Sequence, residues 1–162
     1  MFERYSQRAR QAIFLARVIA GSRGAHILEL DDLIAALILE DQGKLTETLS
    51  NMPEFGEVTS RMRVASHIPF FPVDQATELL RKIRDSTPQS GPVPRETDIP
   101  LSDTTKRVLN SASDLVEFEA QVGPLHVLAA AVDEEVSNAA HLLREAGVTK
   151  QKVISALEHD TS

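Results

Sequence analysis

From Ser6 onward, apolar residues return every three or four positions: Ala9, Ala12, Ile13, Ala16, Ile19 and Ala20. That spacing lays one apolar face along a helix. Ser6 is placed to cap it, because its hydroxyl can accept a bond from an otherwise unpaired backbone N–H. Gly21 and Gly24 end it. A second helix is predicted from about Asp32 to Glu40, with Leu33, Ile34, Leu37 and Ile38 turned inward. A short third covers about Lys44 to Asn51 and stops at Pro53, and a fourth covers about 54–65.

The pattern then changes. Residues 67–100 hold six of the eight prolines, which a helix interior does not accommodate. Within this stretch "VDQATELLRKIRDS" still reads as a helix, capped at Asp74, with Ala76, Leu79, Leu80 and Ile83 on one side. "TPQSGPVPRETD" reads as an exposed, mobile loop. Helical periodicity restarts at Ser102, with Val108, Leu109, Ala112, Leu115 and Val116 as the apolar face. "GPLHVLAAAV" begins the next helix, with Pro124 in its first turn, where a missing N–H costs nothing. "VSNAAHLLREAG", ended by Gly147, and "TKQKVISALE" complete the chain.

The two ends repeat each other. "YSQRARQAIFLA" aligns with "LSDTTKRVLNSA", "ELDDLIAALILED" with "GPLHVLAAAVDEE", and "LTETLSN" with "AAHLLRE". Ser6 then matches Ser102, Ile13 matches Leu109, Leu33 matches Val127 and Leu49 matches Leu143. The expected architecture is all-α: two pseudo-symmetric four-helix repeats, residues 1–66 and 101–162, packed as one domain, with an extra helix in the linker, residues 67–100.

Charge and composition narrow the function. A formal net charge of −7 repels phosphate backbones and argues against nucleic acid. The absence of cysteine removes thiol chemistry and suits a reducing compartment. No run reaches the roughly 18 apolar residues of a membrane span. No signal-peptide pattern follows Met1, so a cytoplasmic location is expected.

Four carboxylates surround the second helix: Asp31 and Asp32 at its start, Glu40 and Asp41 at its end. Adjacent aspartates point about 100° apart on a helix, and positions 35 and 36 are alanine, so no convergent metal-ligand set forms. Asp31 and Asp32 are better read as start signals. Glu40 and Asp41, like Glu134 and Glu135 in the second repeat, are expected to be solvated ends or to face a basic partner. Serines and histidines are present, but no Gly-x-Ser-x-Gly turn or nucleophile–histidine spacing appears. No catalytic residue, metal or cofactor is assigned. Phe70 and Phe71 in "RMRVASHIPFFP" either cover the core or form a partner-facing patch.

"MFERYSQRARQAIFLA", the duplicated unit and the restart at "IPLSDTTKRVL" together resemble the N-terminal domain of Clp ATPases, the Hsp100 chaperone and unfoldase family. The resemblance implies a non-catalytic domain that binds adaptor proteins or unfolded protein substrates and helps feed them to an ATP-driven unfoldase or protease ring. The family's Gly-Thr-Glu-His-Leu-Leu turn reads Glu29-Leu30-Asp31-Asp32-Leu33-Ile34 in the first repeat. In the second it reads Gly123-Pro124-Leu125-His126-Val127-Leu128. In some members the Thr and Glu of this turn form phosphoarginine pockets. Here Leu30 replaces the first Thr, Asp31 stands in for the first Glu, and Pro124 and Leu125 replace the second pair. The departures predict weak or no phosphoarginine binding. No nucleotide-binding Gly-x-x-x-x-Gly-Lys-[Ser/Thr] is present. The expected partner-binding residues are Glu29, Leu30, Asp31, Pro124, Leu125, Phe70 and Phe71. A stand-alone regulator with the same fold, or a small helical metal-dependent enzyme, are the competing readings.

Overall fold

A computed structural model describes residues 3–50, 67–94, 97–117 and 120–159. Among these, eight α-helices form and no strand does. They are α1 (Gln7–Ser22), α2 (Leu30–Asp41), α3 (Leu45–Ser50), α4 (Val73–Ser86), α5 (Asp103–Asp114), α6 (Pro124–Ala131), α7 (Asn138–Glu145) and α8 (Lys150–His159). The helix expected over 54–65 lies outside the described residues.

The caps follow the sequence closely. Ser6 Oγ accepts from the Ala9 N–H at 3.1 Å, and Ser102 Oγ accepts from the Thr105 N–H at 3.1 Å. Ser137 Oγ does the same for the Ala140 N–H at 3.1 Å. Each satisfies a donor that the first helical turn leaves unpaired. Asp74 is an exception: α4 is entered through Pro72, and Asp74 lies in its first turn.

Helix α2 is the hub. Leu30, the run from Asp32 to Ile38, Glu40 and Asp41 are all buried. A helix that is buried on every side must be surrounded, and α1, α3, α4, α5, α6 and α7 all pack against it. Its counterpart α6 packs against α5 and α8.

Two isolated parallel bridges tie the halves crosswise: Tyr5 with Val122, and Leu28 with Leu101. The residue before the cap of α1 pairs with the residue before the cap of α6. The residue before the cap of α5 pairs with the one before the cap of α2. Ser6 N–H donates to Val122 O at 2.9 Å and Val122 N–H to Arg4 O at 2.8 Å. Leu28 N–H donates to Pro100 O at 2.8 Å and Ser102 N–H to Leu28 O at 3.0 Å. The buried Thr105 hydroxyl adds a bond to Leu28 O at 3.1 Å, and Tyr5 OH reaches Leu109 O at 2.6 Å. The repeat alignment, which sets Tyr5 against Leu101, therefore exchanges one bridge for the other.

One expectation needs correction. Glu40 and Asp41 are not solvated: they are 6% and 5% exposed. Glu40 receives a forked pair of bonds from Arg8, at 2.7 and 2.9 Å. Asp41 accepts the Phe70 and Phe71 N–H groups at 2.8 and 3.0 Å, and so anchors the linker beside the C-terminal end of α2. Their tertiary partners outweigh the unfavourable placement of acids at a helix C-terminus. Glu134, the match of Glu40, likewise pairs with an arginine of its own half, Arg107.

The loop 87–98 is largely exposed among its described residues, as expected, yet it is also anchored to α1. Ser90 N–H donates to Arg23 O at 2.7 Å and Val93 N–H to Gly21 O at 2.9 Å. Arg17 Nη2 holds Thr97 O at 2.6 Å, and Ile99 is buried. The loop is thus docked on the carbonyl end of α1, which offers unpaired acceptors. Gly24 makes the close approach feasible. Its φ is +87°, and a Cβ there would lie 2.4 Å from Gly91 O.

Candidate functional site

A cleft of about 460 Å³ opens where the chain enters α2. Glu29 and Asp31 from that entry line it, with Arg23 and His26 from the end of α1 and the loop after it. Thr87 and Pro88 close one side, and Val136 and Ser137, just before α7, close the other. Two of its lining side chains are large, apolar and exposed: Ile27 at 46% and Val136 at 76%.

The charged groups around it are arranged by position. Asp32 is 1% exposed and accepts a forked pair from Arg23 at 2.7 and 2.8 Å. It also takes the Glu29 N–H at 3.0 Å, closing the first turn of α2. The hydrogen bond to Asp32 raises the Arg23 pKa against the opposing effect of burial, so the guanidinium stays charged. Asp31 turns the other way. Its Oδ1 accepts from Ser137 Oγ at 2.5 Å and from the Ala139 N–H at 3.2 Å. A carboxylate of the first half therefore caps α7 in the second. Both aspartates lie in the first turn of α2, as expected; Asp32 closes that turn, and Asp31 in addition caps α7.

His126 occupies the position of Asp32 in the second half and does the equivalent job. The Gly123 N–H donates to its Nδ1 at 2.9 Å. That ring nitrogen must be unprotonated to accept, and burial pushes the His126 pKa below the ordinary 6.5. The unfolded chain therefore takes up a proton before the folded one does. Its contribution to stability is full above pH 6.5 and is lost as pH falls from there through the lower folded value. Urea denaturation at pH 7 and pH 5.5 is expected to show a smaller loss for His126→Asn than for the unchanged protein. Equal losses would remove this role from His126.

The seven expected partner-binding residues separate into three places. Glu29, Leu30 and Asp31 meet at the cleft, with Glu29 exposed, Asp31 half-buried and Leu30 turned into the core. Pro124 is buried and Leu125 partly so, and neither lines the cleft. Phe71 is 2% exposed and meets the partly buried Phe70 edge-on, with ring centroids 5.0 Å apart. Leu30, Pro124 and Phe71 are buried, and Phe71 thus covers the core, one of the two roles expected of it. Sequence reading missed Arg23, Ile27, Val136 and Ser137 at the cleft. The available signal was an apolar residue in each of two loops, just ahead of a helix start.

The cleft shows no assembled nucleophile. Ser137 Oγ donates to Asp31 and accepts from Ala140, so both of its functions are structural. Among the described residues no group of three or more His, Cys, Asp or Glu could hold a metal ion. Among them too, no helix is long and apolar enough to cross a membrane.

The geometry defines an all-α domain with crosswise-tied halves and a shallow, mixed apolar and charged cleft. No protein-family model and no curated protein matches the chain by sequence. Solved structures do. The N-terminal domain of the Clp-associated chaperone ClpD from Arabidopsis thaliana superposes with TM-score 0.60 and 21% identity, over 97% of this chain and 99% of that one. The Hsp104 N-terminal domain from Candida albicans gives TM-score 0.61 and 17% identity, over 94% and 88%. A structure reported from a malarial protein secretion system gives TM-score 0.65 and 16% identity, over 96% and 93%. The fold is that of the Clp ATPase N-terminal domain.

Proposed function

We propose that this chain is a non-catalytic, cytoplasmic interaction domain that docks adaptors or unfolded protein substrates for a Clp-type AAA+ unfoldase. In this reading residues 1–66 and 101–162 are the two repeats and 67–100 the linker. The observation that carries it is the pair of exposed apolar side chains, Ile27 and Val136, at a charged cleft in this fold. Apolar groups rimmed by charge, with no reactive constellation beside them, suit recognition of a polypeptide more than chemistry on one. The same reading expects no tight phosphoarginine binding, since Asp31 already accepts two hydrogen bonds and Glu29 beside it repels phosphate.

The test is fluorescence anisotropy with labelled, reduced and carboxymethylated lactalbumin as the unfolded probe. Replacing Ile27 and Val136 together by Asp is expected to weaken binding about tenfold, since burial of two such side chains is then lost. Both are exposed, so the fold should survive, and thermal denaturation checks that. Unchanged affinity in a folded variant, or no binding by the unchanged protein, would sink the proposal.

A further inference from the structure

The two exposed apolar side chains of the cleft belong to different halves, and each stands next to a residue held by the opposite half. Ile27, in the first half, directly precedes Leu28, whose carbonyl accepts from the Ser102 N–H of the second half at 3.0 Å. Val136, in the second half, directly precedes Ser137, whose hydroxyl donates to Asp31 Oδ1 of the first half at 2.5 Å. The Ala139 N–H reaches the same oxygen at 3.2 Å. Ser137 is 6% exposed and Val136 is 76% exposed, so the anchor is buried and the side chain beside it is not.

Only one of the two matched helix entries carries this arrangement. The repeat sets Leu125 against Asp31 and Gly43 against Ser137, and neither replacement has a side chain that hydrogen-bonds. It sets Gln121 against Ile27 and Gln42 against Val136, so both apolar positions become polar. Gln42 is moreover engaged by Asp41 Oδ2 and Phe71 O, at 3.0 and 2.8 Å. Helix α6 begins with no acid in its first turn, and Asp32 closes the first turn of α2. Starting the helix therefore does not account for Asp31.

We propose that Asp31 is the positioning residue of the docking cleft: by holding Ser137 and Ala139 it fixes where Val136 stands relative to Ile27. A segment that meets both side chains needs them at a set separation, and a contact that must first be ordered on binding lowers affinity. The inference rests on the reading of this cleft as the docking site. It takes Asp31 out of contact with the partner and gives it control of another residue's contact.

The test follows capture of labelled, carboxymethylated lactalbumin by anisotropy, at a temperature where circular dichroism shows each variant folded. Asp31→Ala is expected to weaken capture about threefold, part of the loss expected on replacing both apolar side chains. Asp31→Asn is expected to keep nearly all of the affinity, because an amide oxygen still accepts from Ser137 and Ala139. In a Val136→Ala background, Asp31→Ala is expected to add no further loss, because the residue it acts through is gone. A role in stability alone would move the unfolding midpoint and leave the affinity of the folded protein unchanged. Should Asp31→Ala not fold, Ser137→Ala removes the shorter of the two bonds and is expected to weaken capture only where Val136 is present. Equal losses for Asp31→Ala and Asp31→Asn would overturn the proposal, since the carboxylate charge would then meet the partner itself. The same loss with and without Val136, or no loss in the folded variants, would overturn it too. Absence of capture by the unchanged protein removes the docking function and this inference with it. Capture that Asp31→Ala leaves intact removes this inference alone.

Discussion

Asp32→Ala is expected to lower the unfolding free energy by about 3–5 kcal/mol, the usual cost of removing one partner of a buried ion pair. The side chain is 1% exposed, and its two oxygens hold both the Arg23 fork and the Glu29 N–H. Without it, a guanidinium only 11% exposed is left near the core with its strongest acceptor gone. Asp32→Asn separates the contributions. It keeps an acceptor for Glu29 but removes the charge, so it should recover part of the loss. Urea denaturation at pH 7 measures both. In a thermal scan each kcal/mol corresponds to about 2–4 °C for a domain of this size. A loss under about 1 kcal/mol would mean that Arg23 reaches water once its partner is gone.

Phe71→Ala should cost a similar amount, about 3–5 kcal/mol, through the cavity that a truncated buried ring leaves. Phe71 is among the largest fully buried side chains, and its backbone is anchored by Asp41. Its neighbour is the control. Phe70 is partly buried and gives up mainly an edge-on ring contact, so Phe70→Ala should cost roughly 1–2 kcal/mol. Similar losses at the two positions, read from urea denaturation midpoints, would contradict the burial seen here. Were Phe71 a partner contact instead, its truncation would weaken capture of an unfolded probe and leave stability intact.

The helices and their starts were legible because their causes are local. A Ser at 6 or 102 sits next to the N–H it caps, and the three-and-four spacing of Val108, Leu109 and Ala112 reports the buried face directly. The matched segments were legible because both halves obey the same burial scheme. The carboxylates were not, because charge in a sequence carries no information about its partner. Asp31 caps a helix that begins more than a hundred residues later, and Glu40 is neutralised by Arg8 from another helix. The cleft was half legible. The turn containing Glu29 and Asp31 was identified, but Val136 and Thr87 reach it only through tertiary packing. Proline and glycine in the 87–98 loop signalled the lack of a helix. They did not signal that its N–H groups would find the open carbonyls of α1.

The crosswise bridges carry a consequence for assembly. Tyr5 pairs with Val122 and Leu28 with Leu101, so each half completes the other's helix entries. None of these bonds depends on the two halves being joined. A second copy could supply the same edges, and two chains exchanging halves would satisfy every bridge twice, the arrangement known as domain swapping. What holds the exchange within one chain is the connecting segment, which keeps the second half at an effective concentration on the order of millimolar near the first. By docking on α1 and α2 through residues 90–93 and α4, that segment also fixes which second half is used.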